Sequence, residues 1–234
     1  MPEKVLLSWS GGKDSAMALY EIQRKRECEV VSLLTTLAED YDRISMHGVR
    51  RVLLEQQAES LCLPLEQVLI SKEASNEEYE AKIQATLSKW QKLGISGVAF
   101  GDIFLQELRK YREDNLAKIG MKAIFPIWGR DTAELARTFT KSGFKSIVTC
   151  VDGKVLDKAF AGRIIDASFL TELPPNIDPC GENGEFHSFA FAGPIFKKSI
   201  SFTIGQVVLR DSRYFCDLLP VDGGENGRTL IQDH

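Results

Sequence analysis

From Lys4 to about Phe125, short apolar runs alternate with stretches of helical spacing, and this rhythm narrows the fold more than any other feature of the chain. Residues 4–9 read as a buried strand, a glycine loop follows, and a helix is expected from about 14 to 26. Residues 29–36 are apolar almost throughout, as expected of a strand covered on both faces. A helix over 49–61 stops just before Pro64, and a third strand follows over 65–70. A long helix over 77–93 ends at Gly94, and a fourth strand over 97–100 opens on Gly101-Asp102. A helix over 105–119 is stopped by Gly120 and a fifth strand over 122–125 by Pro126. Strands and helices in strict alternation predict an α/β fold, a doubly wound parallel sheet with helices on both faces.

Beyond Trp128 the texture changes. A helix over 132–141 and a strand over 146–151 lead into a segment rich in Pro, Gly and Asn over 174–184. Three alternating or aromatic-rich runs follow, over 186–191, 200–209 and 214–218, and these read as antiparallel. The chain therefore divides into a first unit over 1–128 and a smaller α+β unit over 129–234, with a polar, turn-rich tail from Asp222 expected to fray. With 44% apolar residues a sizeable core is available. No apolar run approaches the roughly 18 residues of a membrane span. The run Val5-Leu6-Leu7 is too short for a signal-peptide core, so a cytoplasmic protein without a membrane partner is expected. Five scattered cysteines without a CxxC argue against a disulfide framework and a zinc ribbon. A net charge of −4 with dispersed basic residues gives no general drive toward nucleic acid. Homo-oligomerisation is left open.

The loop between the first strand and the first helix is Ser10-Gly11-Gly12-Lys13-Asp14-Ser15. In open parallel sheets ligands sit at the carboxyl ends of the strands. Gly11 and Gly12 let the backbone approach an anion there, and the helix N-terminus adds free N–H groups and the positive end of its dipole. Ser10 and Ser15 add hydroxyls and Lys13 a charge, a combination suited to phosphate oxygens; for Ser15 a helix cap is the alternative. A Walker A loop is excluded, because Leu7 stands where its first glycine would be and Asp14 follows Lys13. A carboxylate within a phosphate loop repels the ligand unless a divalent cation lies between them. Asp14 is thus either a magnesium contact or an ordinary acidic residue at a helix start.

The densest polar stretch is Asp178-Pro179-Cys180-Gly181-Glu182-Asn183-Gly184-Glu185-Phe186-His187. Glu182 and Glu185 in such a loop could hold magnesium, orient an amine or act as a base on ammonia, the alternative being a solvated acidic turn. His187, two residues beyond Glu185, would share its face if both lie on a strand.

Ser10–Ser15 resembles the SGGxDS loop of the PP-loop ATP pyrophosphatases. Taken with Gly101-Asp102-Ile103 and the CGENGE run over 180–185, the chain resembles the diphthine–ammonia ligase family, also called ATP-binding diphthamide synthase-like proteins, in its short prokaryotic form. The likeness runs over nearly the whole chain, including Met46-His47 and Phe125-Pro126-Ile127-Trp128, although Asn183 and Phe186 stand where longer members often have Gly and Tyr. It implies a HUP-type sheet and an enzyme that splits ATP to AMP and pyrophosphate. It also implies adenylation of a carboxylate, that of diphthine on elongation factor 2, and amidation of it by ammonia. For a bacterial chain, the protein substrate is left unnamed while the ATP chemistry stands.

The site expected from these readings places Ser10, Gly11, Gly12, Lys13, Asp14, Ser15, His47 and Gly101 on ATP and Asp14 on Mg2+. Lys13, Asp102, Glu182 and Glu185 are placed on the chemistry. Asp102, at the end of the fourth strand, either faces the crevice or shapes a turn, and His47 either meets the nucleoside or caps a loop. Arg109 and Arg112, one helical turn apart, either reach phosphate or substrate or lie on a solvated face. Two rival functions remain. A tRNA-modifying PP-loop enzyme would carry sulfur on Cys180, with Cys150 as its only partner by fold position. A non-catalytic module would hold ATP or AMP without turnover.

Overall fold

The computed structural model describes residues 2–39, 43–44 and 48–221. Strand β1 (Glu3–Ser8) is buried through Val5, Leu6 and Leu7 and sits in the middle of the larger sheet. After it come α1 (Lys13–Lys25), β2 (Cys28–Ala38), β3 (Arg43–Ile44), α2 (Arg51–Leu61) and β4 (Leu65–Ile70). The series continues with α3 (Asn76–Lys92), β5 (Gly97–Ala99), α4 (Gln106–Ala117) and β6 (Lys122–Ile124). Parallel pairing gives the order β4-β2-β1-β5-β6. The chain builds outward from β1 in one direction and then crosses to the other side of it, so a crevice opens between the carboxyl ends of β1 and β5. Strand β3 was not expected from sequence. It has only two residues and pairs antiparallel with Leu37 and Ala38, beyond the point where β1 ends.

Successive side chains of β1 point to opposite faces. Leu7 joins a buried cluster with Leu19 of α1 and Leu54 of α2, whereas Leu6 joins Leu87 of α3 and Leu116 of α4. The two pairs of helices thus cover opposite faces, as double winding requires. Helix α3 begins where Ser75 accepts the N–H of Glu78 and Glu78 returns a bond to the N–H of Ser75.

The chain goes on with α5 (Thr132–Lys141), capped by Asp131 on the N–H of Glu134 at 2.7 Å. It continues with β7 (Lys145–Asp152), a 3-10 turn over Lys158–Phe160 and α6 (Ala167–Glu172). The last strands are β8 (Phe186–Ala192), β9 (Phe202–Arg210) and β10 (Arg213–Pro220). They form an antiparallel sheet in the order β8-β7-β10-β9. Helix α6 was also missed; six residues are too few to display a period, and it is fixed by Asp166 capping the N–H of Phe169, whose ring is fully buried.

The second sheet packs on the α1 and α2 side. Phe139, Phe189, Phe191 and Leu218 belong to the same buried cluster as Leu7, Leu19 and Leu54. Polar ties reinforce the contact. Asp217 of β10 accepts Arg50 through Nη2 at 2.7 Å and Nε at 3.1 Å, and Arg43 through Nη1 at 2.9 Å. His47 and the tail from Asp222 lie outside the described residues. Among the described residues no helix is long and apolar enough to cross a membrane.

Candidate active site

The chain leaves β1 through Trp9 and turns at Ser10-Gly11-Gly12 into α1. Gly11 has φ +75°, and a Cβ there would lie 2.7 Å from Leu54 Cδ2 and 2.8 Å from Gln57 Oε1. Only glycine fits both the conformation and the space. Gly12 is the N-cap of α1 and no side chain of its own caps it; Ser188 takes the N–H of Lys13, and a helix start of this kind offers its other first-turn N–H groups to an anion. Ser10 Oγ accepts the N–H of Gly12 at 3.3 Å and lies 3.3 Å from Ser15 Oγ. Ser15 also donates to the carbonyl of Gly12 at 2.9 Å. The two hydroxyls therefore stand together at the mouth of the helix.

The acidic turn is held by its own side chains. Asp178 Oδ1 accepts the N–H of Cys180 at 2.7 Å and of Glu182 at 3.3 Å. Glu185 Oε1 accepts the N–H of Asp178 at 3.1 Å and Asn183 Nδ2 at 3.0 Å, while its Oε2 is buried with no hydrogen-bond partner. Glu182 instead leaves the turn, and its Oε1 accepts the N–H groups of Ile103 at 2.7 Å and Phe104 at 3.4 Å. The two glutamates, grouped together in the sequence, thus have different surroundings. Glu185 precedes β8 and is buried, whereas His187 lies within β8, half-buried, opposite Cys150.

Three bonds bring this turn and β8 against the glycine loop. Lys13 Nζ donates to Asp14 Oδ1 at 2.6 Å and to the carbonyl of Cys180. Ser188 Oγ accepts the N–H of Lys13 at 3.2 Å, and the N–H of Ala190 donates to the carbonyl of Gly11 at 2.8 Å. The lysine, expected to face phosphate directly, thus links loop and turn and is only 2% exposed. Gly101 closes the crevice from the β5 side. A Cβ on it would lie 2.8 Å from Asp14 C and 2.9 Å from Ser15 N, which are backbone atoms that cannot step aside. Asp102 is gripped by Arg112, Nε at 2.5 Å and Nη2 at 3.1 Å, and that guanidinium lies 4.3 Å from the Phe100 ring centre. Arg109 turns elsewhere. It lies over Phe125 and Trp128 at 4.9 and 4.7 Å and bonds Glu113 at 2.8 Å.

Charge is concentrated where these pieces meet. Burial raises the Asp14 carboxyl, Lys13 opposes the rise, and Asp178 and Asp102 add to it. Burial likewise pushes Glu182 up to about 7, against the N–H of Ile103 and with help from Asp14. For Lys13 burial works against the charge, but the neighbouring carboxylates, Asp14 foremost, hold it above its ordinary value. The Cys180 thiol is pushed up to about 12 by burial, with Lys13 opposing, and donates to the carbonyl of Thr132 at 3.3 Å. A sulfur carrier needs an accessible, easily ionised thiol, and Cys180 is neither. Cys150 is buried and raised as well.

Among the described residues no three His, Cys, Asp or Glu side chains are gathered as a metal site. Magnesium needs no such cage. It commonly takes one or two carboxylates and completes its shell with phosphate oxygens and water. Asp14, at the loop mouth with its side chain 30% exposed, fits that role.

Sequence reasoning passed over Gln57, Ser188 and Asp178 as individual residues. Asp178 was visible as the first acid of its cluster. Ser188 is a lone hydroxyl in an aromatic strand, and Gln57 is a polar residue on the buried side of a helix.

A family model described as the diphthamide synthase N-terminal domain matches residues 3–123, and one described as the C-terminal domain matches residues 131–218. Similar curated proteins carry the name diphthine–ammonia ligase. That of Schizosaccharomyces pombe is 27% identical over 92% of this chain, which spans 38% of that protein's length. Those of Mus musculus and Danio rerio are 24% and 26% identical over 88% of this chain, and 85% and 89% of their own lengths are covered. A solved phosphoadenylyl-sulfate reductase from Candida auris, in a phosphate complex, overlaps 60% of this chain and 73% of its own, with 16% identity and a TM-score of 0.36. With both halves matched in order, the chain belongs to the diphthamide synthase family, an enzyme family of the PP-loop superfamily.

Proposed function

We propose that this protein is an ATP-dependent ligase that adenylates a carboxylate and amidates it with ammonia, releasing AMP and pyrophosphate. The acyl substrate proposed is the diphthine carboxylate of elongation factor 2, in the cytoplasm. The observation that supports this reading is the joining of the glycine loop to the acidic turn by Lys13, which brings two sequence-distant motifs together. A nucleotide sensor needs the loop alone. A two-step ligase needs the loop for the phosphates and a second set of polar groups for the acyl acceptor and the amine.

In the first step a carboxylate oxygen attacks the α-phosphorus and the bond to the β-phosphate oxygen breaks. Gly11, Gly12, Ser10 and Ser15 hold the leaving pyrophosphate through backbone N–H groups and hydroxyls. Lys13, whose charge the neighbouring carboxylates favour, offsets negative charge at the loop. Magnesium, held by Asp14 together with phosphate oxygens, would neutralise the pyrophosphate further. In the second step ammonia attacks the acyl carbon, AMP leaves, and the nitrogen gives up a proton. Glu182 sits beside the end of β5 with its carboxyl near 7, a value suited to accepting that proton at neutral pH. Asp102, fixed by Arg112, keeps a carboxylate at the same crevice to orient the incoming groups.

The test is product analysis with ATP labelled in the α and γ phosphates, with magnesium, ammonium and elongation factor 2 bearing diphthine. Labelled AMP and pyrophosphate that depend on the factor are expected. ADP and phosphate, or intact ATP under every condition, would overturn the proposal. AMP and pyrophosphate formed without the factor would retain the chemistry and reject this acyl substrate.

A further inference from the structure

Gln57 of α2 is fully buried, yet it carries three polar positions that need partners. All three are met. Its Oε1 accepts the indole N–H of Trp9 at 2.8 Å. Its Nε2 donates to the carbonyl of Gly11 at 3.0 Å and to the carbonyl of Ala190 at 2.6 Å. The amide orientation is fixed by chemistry, since the indole can only donate and the two carbonyls can only accept. No other side chain supplies one acceptor and two donors in this arrangement. Glutamate lacks the donors, asparagine is one methylene shorter, and methionine has neither.

The bond to Gly11 has a directional consequence. The Gly11 carbonyl receives both Gln57 Nε2 and the N–H of Ala190, so it is anchored toward the protein interior. In a planar trans peptide the C=O and the following N–H point in opposite directions. Anchoring the carbonyl on Gln57 and Ala190 therefore aims the N–H of Gly12 the other way, toward the Ser10 hydroxyl, which accepts it at 3.3 Å and stands beside that of Ser15. A flipped Gly11–Gly12 peptide would present a carbonyl oxygen to an anion, and glycines on both sides of the bond offer little steric resistance to that flip.

We infer that Gln57 is a positioning residue for the ATP-binding step: it locks the Gly11–Gly12 peptide with its N–H facing the phosphates and ties that orientation to strand β8. The inference rests on the proposed use of the loop for ATP. Trp9 serves it indirectly by holding the Gln57 amide in place.

The experiment measures ATP affinity by calorimetry, the KM values for ATP and for the acyl substrate, and thermal stability, in the wild type, Gln57→Met and Trp9→Phe. Gln57→Met keeps the length and buried volume but removes both donors. It is expected to weaken ATP binding and raise the KM for ATP about tenfold or more, with the KM for the acyl substrate unchanged. Trp9→Phe is expected to shift the same quantity in the same direction by less. A merely structural glutamine would lower stability and the active fraction while leaving both KM values where they were, and that result would overturn the inference. Equal ATP affinity in Gln57→Met and wild type would do the same. Absence of ATP binding in the wild type would instead reject the proposed function. Should Gln57→Met fail to fold, Trp9→Phe with an unchanged ATP affinity would contradict the inference.

Discussion

The glycine loop and the acidic turn meet at one site but are built in opposite ways. The loop is held largely from outside: Gln57, Ser188 and Ala190, from α2 and β8, bond its backbone, while its own Ser10 and Ser15 hydroxyls bond only Gly12 of that backbone. The acidic turn is shaped from within, by Asp178 and Glu185 bonding its own backbone and Asn183. The loop therefore presents backbone N–H groups in a fixed array, suited to phosphate, whose charge is spread over several oxygens. The turn frees one carboxylate, Glu182, and keeps another, Glu185, as internal support. Damage to the loop should abolish ATP binding, whereas damage to the turn should separate ATP binding from amide formation.

The largest effect is expected from Gly101→Val. Its side chain would meet the backbone of Asp14 and Ser15 within 3.0 Å, so the first turn of α1 must move. Turnover should fall at least about a hundredfold together with ATP binding, as steady-state kinetics and calorimetry on the same preparation would report. Retained ATP binding would mean that the β5 end and the loop do not form one crevice.

Asp178→Ala should come next. It strips the acceptor from two backbone N–H groups, each bond to a charged group being worth about 1.5–3 kcal/mol, and should lower amide formation about tenfold or more. ATP affinity should stay within about threefold of the wild type. Equal losses in both would erase the distinction between loop and turn.

Much of this was legible in the sequence, for identifiable reasons. Ser10 to Ser15 are consecutive, so their placement in the turn between β1 and α1 could be read directly. The strand–helix alternation was equally plain because each element is long enough to show its period. The division of labour between Glu182 and Glu185 was not, since it depends on whether a carboxylate turns back into its own loop or out to Ile103. Arg109 and Arg112 share a helix face, yet Arg112 is captured by Asp102 and Phe100 while Arg109 lies on Phe125 and Trp128. Gln57 gave no sign of its contacts because its partners, Gly11 and Ala190, are 46 and 133 residues away.

A smaller effect sharpens the account of Glu182. Burial raises its carboxyl from 4.5 to about 7, so between those values the folded protein holds a proton that the unfolded chain releases. Stability should therefore fall as pH rises through this window and level off above it. Glu182→Gln should remove that slope, so the melting temperatures of variant and wild type should diverge from pH 5 to 7 and run parallel above. Parallel curves throughout would place Glu182 in a more solvated setting. The smallest effects are expected at Cys180→Ser and Arg109→Ala. The first should leave turnover within about threefold, because a buried thiol with a raised pKa has no nucleophilic role. The second removes an ion pair with a substantially exposed partner, a type of contact worth about 0.2–1 kcal/mol, along with its stacking on two rings, and should leave the KM for ATP unchanged. Loss of activity in Cys180→Ser would revive the sulfur-transfer reading.

The most direct test of the central claim, that loop and turn together run adenylation and then amidation, is isotope exchange between pyrophosphate and ATP with diphthine-bearing elongation factor 2 and no ammonium. Exchange that requires the carboxylate, persists in Glu182→Gln and gives no amide in that variant when ammonium is added is the expected result. No exchange in the wild type, or exchange only when ammonium is present, would contradict it.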